Sequence, residues 1–411
     1  MTILYDGNWS LNRKQEKSIV NSNSRINIWY GGVRAGKTLT SSIRWLDYLA
    51  RNPQGKKAMV GKTQRTLIRN VLYPIRELIG ESNFALNKGE SWVNLGGVKV
   101  DLYGANDERA MEKIAGVTLG GAYCDELSLF PHSMFKMTTS RCSLPNSKIF
   151  ATTNPGSPEH WLKKEYLDKE EDMNLSSFHF KLDDNKALSE DYVRDLKNEY
   201  DGVWYDRYID GLWVLAEGLV YDMYSPDIHL VDSVPNIKKY WVGVDYGTTA
   251  STAFILIGLG EDNKLYVVDE YKHTGERMES SKTDIEYCND LKDWLGDIRP
   301  EWILIDPSAK SFRLQLWDMN KDYTPFTKVR KGNNAIIDGI RTISSLLSSN
   351  NLLIHKDCLD IQKEFSLYSW DKKAQARGED KPISKYDHTL DALRYGIMGI
   401  DKTTVRDVLR N

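Results

Sequence analysis

The segment GGVRAGKT at residues 31–38 does most to limit what this chain can become. It follows INIWY at 26–30, a β-prone run, and precedes the helix-like LTSSIRWLDYLARN at 39–52. The pattern G-x-x-x-x-G-K-[ST] between a strand and a helix is a phosphate-binding loop, because its small residues let backbone N–H groups turn inward around phosphate oxygens. Gly31, Gly32, Ala35 and Gly36 form that cradle, Lys37 reaches towards the β- and γ-phosphates, and the Thr38 hydroxyl suits Mg²⁺. The helix opening there adds its positive dipole end. A mostly parallel sheet with flanking helices is expected around such a loop, with ATP and Mg²⁺ bound at its crevice.

Hydrolysis needs an acid for the metal and a group to orient water. GGAYCDEL at 120–127 supplies Asp125 for the first and Glu126 for the second, at a strand end. SKIFATTNP at 147–155 ends another apolar run with Thr152, Thr153 and Asn154 before Pro155 breaks the ladder. Strand carboxyl ends face the crevice in a parallel sheet, so these three could sense the γ-phosphate and pass the signal onward. An ordinary Thr-Asn-Pro turn is the alternative. Gln15, in LNRKQEKSI, is either a reader of the adenine edge or a surface residue.

At 411 residues the chain exceeds one ordinary core. The division expected is a P-loop ATPase domain over 1–180, a small helical linker over 181–235 and a second α/β domain over 236–411. In the linker, aromatics recur among charges with Gly202, Gly211 and Gly218 as breakers, so Trp204, Tyr205, Tyr208 and Trp213 are expected in a core.

The second half opens with KYWVGVDYGTTASTAFILIGL at 239–259, two strands joined by a turn, and KLYVVDEYKH at 264–273, a third. A helical stretch precedes EWILIDPSA at 301–309, a fourth. That order is the order of a ribonuclease H-like α/β core, in which the first and fourth strands are neighbours. Asp245 and Asp306, at their ends, would then converge. In KYDHTLDALRY at 385–395, His388 and Asp391 stand three apart and share one side of a helix, while Asp387 points about a hundred degrees from His388. Carboxylates from separate elements are what two Mg²⁺ or Mn²⁺ ions need for phosphodiester hydrolysis, with His388 placed to position water, the leaving group or a second metal. Asp269 and Glu270, on the middle strand, could approach this cluster, but exposure at a strand end is the expectation for both.

A net charge of −3 gives no global sign of nucleic-acid binding, so a polyanionic substrate must be read locally. Lys328, Arg330 and Lys331, ahead of an expected helix start, suit a phosphate backbone. No apolar run approaches membrane-spanning length, and Cys124, Cys142, Cys288 and Cys358 lack paired spacing, so a reducing cytoplasm without membrane, zinc or disulfide framework is expected.

In this order, the phosphate loop, D-E, T-T-N-P and three separated acids resemble the large terminase subunits of tailed double-stranded DNA bacteriophages, over nearly the whole chain. That family writes DH-x-x-DA-x-RY around its last acid, matched here by Asp387 to Tyr395. The resemblance implies an ATPase that drives double-stranded DNA into a capsid and a nuclease that cuts the concatemer. It implies that Arg34 contacts the γ-phosphate and that a neighbouring subunit supplies a second cation, from Arg109, Lys113 or Arg141. It also implies a small terminase subunit and a capsid portal as partners, a ring formed on the capsid from a solution monomer, and residence in the host bacterial cytoplasm, transiently at the procapsid and not in the mature virion. Three rivals stand beside it. DYGTT at 245–249 also resembles the phosphate loop of actin-like and sugar kinases. The second half could be a DNA clamp with a dead nuclease, or the whole a repair-type helicase or translocase with a nuclease.

Overall fold

The run INIWYG forms a strand, β1 (Ile26–Gly31), buried along nearly its whole length, as a strand covered on both faces must be. The computed structural model of the chain describes residues 11–52, 54–106, 108–247, 251–274, 282–321 and 323–410. Two compact units emerge, one of Met1–Arg194, Gly202–Leu215 and Ala376–Glu379, the other of Asp195–Asp201, Ala216–Gln375 and Asp380–Asn411.

In the first unit, β2 (Lys56–Gly61), β3 (Phe84–Asn87), β4 (Trp92–Leu95), β5 (Val98–Gly104), β6 (Leu119–Cys124), β7 (Ile149–Thr153) and β8 (Leu175–Phe180) join β1. The order across the sheet, among the described residues, is β3-β4-β5-β2-β6-β7-β1-β8. Pairings from β5 through β8 are parallel, and only β3-β4-β5 run antiparallel at one edge. Trp29, Trp45 and Phe150 pack on one face, Ile28, Ala122 and Phe135 on the other. The glycines of β6 make room for neighbours: a Cβ on Gly121 would fall 2.6 Å from the Tyr48 ring, and one on Gly120 would fall 2.5 Å from the Gln54 carbonyl.

The second unit holds β9 (Leu230–Val231), β10 (Ile237–Asp245), β11 (Ser251–Gly260), β12 (Leu265–Thr274), β13 (Trp302–Ile305), β14 (Val329–Lys331) and β15 (Leu352–His355). Their order is β14-β13-β10-β11-β12-β15-β9, with β10-β11-β12 antiparallel and β13 parallel to β10, the ribonuclease H-like arrangement. The helix His388–Gly399, called here the acid helix, crosses this sheet at van der Waals limits: a Cβ on Gly243 would lie 1.8 Å from the Ala392 carbonyl. A Cβ on Gly396, opposite, would lie 2.4 Å from Ile257 Cδ1 and 3.2 Å from the Gly243 nitrogen.

The stretch 181–235 is shared out between the units rather than forming one of its own. Within the first unit, the Leu182 amide donates to the Ile209 carbonyl (3.0 Å), and Trp204 is buried and stacked on Tyr208. Within the second, the Val220 amide donates to the Tyr368 carbonyl (2.9 Å). No helix among the described residues is long and apolar enough to cross a membrane.

Candidate active sites

The turn from β1 into the helix Lys37–Arg51 needs left-handed backbone at Arg34 (φ 55°) and Gly36 (φ 90°). Lys37 is buried, and its ammonium donates to the Gly31 and Gly32 carbonyls and to Asn154 Oδ1 (2.9 Å). Burial pulls Lys37 down to about 7, against the opposing attraction of Asp125 and Glu126. Asp125, 5% exposed, accepts from Thr152 Oγ1 at 2.8 Å, and burial raises its carboxyl to about 6. The same Thr152 hydroxyl accepts from the Glu126 amide (3.2 Å), which holds Glu126 in a left-handed conformation (φ 56°) at the end of β6. Thr153 Oγ1 accepts from the Ser128 amide at 3.1 Å. Residues from three strand ends thus form one bonded chain, from Lys37 through Asn154 and β7 to Asp125 and Glu126.

An open cleft of ≈ 850 Å³ lies over this chain, a normal size for a small-molecule site, and Arg34, Thr38, Asp125, Glu126 and Asn154 are among its lining. Gln15 lines it too. It is 4% exposed rather than on the surface, its Oε1 caps a helix by accepting from the Asn12 amide (3.0 Å), and its amide nitrogen sits where a Cβ on Gly36 would fall, 2.6 Å away. Sequence reasoning missed the outer wall. Asn185 Nδ2 donates to the Arg34 carbonyl (2.7 Å), Lys186 stands beside it, and Arg69 and Asn70 face the cleft from a π-helical turn, Ile68–Leu72. Such turns concentrate at functional sites, but nothing local in TLIRNVL marks one. Lys113 is exposed on the helix Glu108–Ala115 and Arg141 ends the helix His132–Arg141; neither lines the cleft. The side chain of Arg109 lies outside the described residues.

The second constellation gathers at one end of β10. Parallel pairing sets Val244 beside Ile305, so Asp245 and Asp306 follow side by side, and the Asp306 amide donates to the Val244 carbonyl (3.0 Å). His388 Nδ1 donates to Asp245 Oδ2 at 2.8 Å. One turn along, Asp391 pairs with Arg394 at 2.9 Å, while Asp306 Oδ2 accepts from Ser308 Oγ at 2.6 Å. Burial raises Asp245 to about 6; the His388 bond opposes this, and Asp391 and Asp306 add to it by like charge. Burial also raises Asp391, with Arg394 pulling back, and takes Asp387, just before the helix, to about 6. His388 is raised chiefly by its bond to Asp245. The acids therefore share a neighbourhood, but each is turned to its own donor, and among the described residues no three His, Cys, Asp or Glu are arranged to hold a metal ion. The donor chemistry, crowded carboxylates with one imidazole, fits Mg²⁺ or Mn²⁺.

Lys328, Arg330 and Lys331 lie at the sheet edge, on or next to β14, because that segment pairs with β13. Lys328 and Arg330 lie over the Trp302 ring, and Lys331 registers with Ile305, next to Asp306. Glu270 is not an idle strand-end acid. It accepts from the Asp360 and Ile361 amides (2.7 and 2.9 Å), capping the helix Leu359–Phe365, and burial raises it to about 7. Asp269 is exposed.

A family model described as terminase large subunit, T4likevirus-type, N-terminal, matches residues 28–224. The large terminase from the thermophilic bacteriophage D6E in complex with ADP is 36% identical, with a TM-score of 0.86 over 95% of this chain and 99% of that one. The same protein in complex with ATP-γ-S gives 36% identity and a TM-score of 0.84, over 94% and 98%. No curated protein matches the chain.

Proposed function

The chain belongs to the large terminase subunits of bacteriophages, and from that membership we propose that it hydrolyses ATP to drive double-stranded DNA into a capsid and cuts the concatemer with its second unit. The observation that carries the motor reading is the bonded chain Lys37–Asn154 and Thr152–Asp125–Glu126. In it, the group that meets the γ-phosphate and the group that aligns water are mechanically joined through β7. Lys37 would leave Asn154 and the loop carbonyls for phosphate oxygens, which frees Asn154 to report occupancy. Thr38 and Asp125 would hold Mg²⁺, Arg34 would add charge at the γ-phosphate, and Glu126 would orient the attacking water. Gln15, fixed by its own helix cap, would face the base.

For cutting, Asp306 and Asp391 would turn from Ser308 and Arg394 to join Asp245 in holding two divalent cations. Ions bound there supply an activated water and stabilise the leaving oxygen. His388 would hold Asp245 in place and position the nucleophile or leaving group. Lys328, Arg330 and Lys331 would carry the phosphate backbone past the acids. The small terminase subunit, the portal, a ring formed only on the capsid, and residence in the host cytoplasm and at the procapsid are part of the same proposal.

The test is an ATPase assay with and without empty capsids, beside plasmid digestion in Mn²⁺. Lys37→Ala should abolish hydrolysis through lost transition-state charge, and Glu126→Gln should bind ATP without turning it over. Normal turnover by Glu126→Gln would remove that acid from its role. A parent protein that leaves plasmid intact in Mn²⁺ would favour the clamp reading for the second unit.

A further inference from the structure

The acid helix begins without a cap of its own, since the Asp387 side chain makes no capping bond there. Uncapped amides at a buried helix start are costly, so their partners must come from elsewhere. They come from Glu364. This side chain, 1% exposed on the helix Leu359–Phe365, accepts from the Thr389 amide (2.8 Å), the Leu390 amide (3.2 Å) and Thr389 Oγ1 (2.6 Å). Its other oxygen accepts from Lys272 Nζ on β12 at 2.7 Å. A buried carboxylate with four donors is satisfied, paired and rigid.

The helix bearing Glu364 is itself capped by Glu270, also on β12 and two residues before Lys272. One strand therefore fixes a first helix by its N-terminus, and that helix fixes the acid helix by its N-terminus. Nothing in the motif around His388 and Asp391 contains this support. We infer that Glu364 is a positioning residue for DNA cleavage, setting the depth and rotation at which the acid helix presents His388 and Asp391 to Asp245. The inference rests on the nuclease reading of the second unit.

Glu364 bonds to Thr389, the residue that follows His388, so a shift of the helix start moves the imidazole directly. Its role differs from packing alone, because the same helix is already held against the sheet at Gly243 and Gly396. Loss of the cap should leave the helix in place and loosen only its first turn, where the metal-facing groups stand.

The test uses the full chain with Glu364→Ala, Glu364→Gln and the pair Glu364→Gln/Lys272→Met, the last removing the cation whose nearer carboxylate is lost. Calorimetric titration with Mn²⁺ alone, plasmid cleavage across Mn²⁺ concentrations, thermal unfolding and ATPase rate are measured for each. Glu364→Ala should weaken Mn²⁺ binding and slow cleavage by roughly tenfold to a hundredfold, as loss of a group supporting metal ligands does, with ATPase unchanged. Glu364→Gln, which keeps an acceptor oxygen for Thr389, should lie between that variant and the parent. Folded variants with parental Mn²⁺ affinity and cleavage would overturn the inference. If Glu364→Ala does not fold, the paired variant decides by the same two readings. A parent that neither binds Mn²⁺ nor cuts would instead sink the nuclease reading itself.

Discussion

His388 Nδ1 donates to Asp245 Oδ2 at 2.8 Å, across 143 residues of chain and between a helix start and a strand end. The bond gives a half-buried carboxylate its donor, so loss of His388 should not act like loss of the acid Asp391 one turn along the helix. Asp391→Ala should stop plasmid cleavage with ATPase intact. His388→Ala should slow cleavage and lose less in Mn²⁺ than in Mg²⁺, because Mn²⁺ tolerates mixed ligands better. Cleavage assays of both variants in both metals check this, and equal loss in the two metals would remove the histidine from the metal chemistry.

Thr152 serves Asp125 with its hydroxyl proton and the Glu126 amide with its lone pair. Thr152→Val keeps the shape and removes both bonds. Unfolding should show a loss of about 1–3 kcal/mol for stranded buried groups. ATP should still bind, measured by fluorescent-analogue displacement, while turnover falls. Unchanged turnover would show that Glu126 needs no such tether.

Burial lowers Lys37 to about 7. Phosphate oxygens favour its charged form, so binding at higher pH must take up a proton. Affinity for ATP should therefore fall as pH rises above about 7, by at most about tenfold per pH unit for one proton. Asp125, raised to about 6, is already ionised at pH 8 and does not mask the effect. Calorimetry at pH 8 in buffers of different ionisation enthalpy measures the uptake directly; no buffer dependence would refute it.

Gly243→Ala would place a methyl 1.8 Å from the Ala392 carbonyl, against backbone that cannot step aside. Overpacking should destabilise the second unit by about 1–3 kcal/mol or more and push the acid helix off β10. Cleavage should vanish while ATPase persists. Denaturant unfolding alongside both activities decides, and a fully active variant would contradict the close approach.

Arg330→Ala and Lys331→Ala should each reduce the salt dependence of DNA binding, by about 0.9 in the slope of log affinity against log salt if each contacts one phosphate. Binding to a long duplex over a range of NaCl concentrations gives that slope. A parental slope in both variants would release β14 from the DNA path.

The legible parts were those written as contiguous text. GGVRAGKT, CDE and TTN stand out as motifs because phosphate-loop chemistry asks for such residues within a few positions of each other, and strand ends bring the three to one cleft. The place of Asp245 beside Asp306 followed from strand order alone. What escaped reading was support from a distance. Glu270 looks like a spare acid until the helix it caps is seen, 90 residues later. Glu364 stands 25 residues from Thr389 in a segment without pattern, and Asn185 reaches Arg34 from what reads as a polar loop. The turning of Asp391 and Asp306 toward Arg394 and Ser308 was also invisible, since rotamers answer to local donors rather than to spacing.

The outside of the phosphate loop is held by residues that come after the last strand of the first sheet. The Val33 amide donates to the Tyr208 carbonyl at 2.7 Å, Asn185 holds the Arg34 carbonyl, and Gly211 fits where a side chain would strike Gly31 at 2.6 Å. Cutting the gene after Phe180 would keep all eight strands and every nucleotide motif, yet strip the loop of these three props. The shortest piece able to preserve the loop's shape should extend through Leu215, the end of the first unit's second segment. A truncation at the sheet's edge would be expected to express as a folded protein with a slack, poorly binding loop.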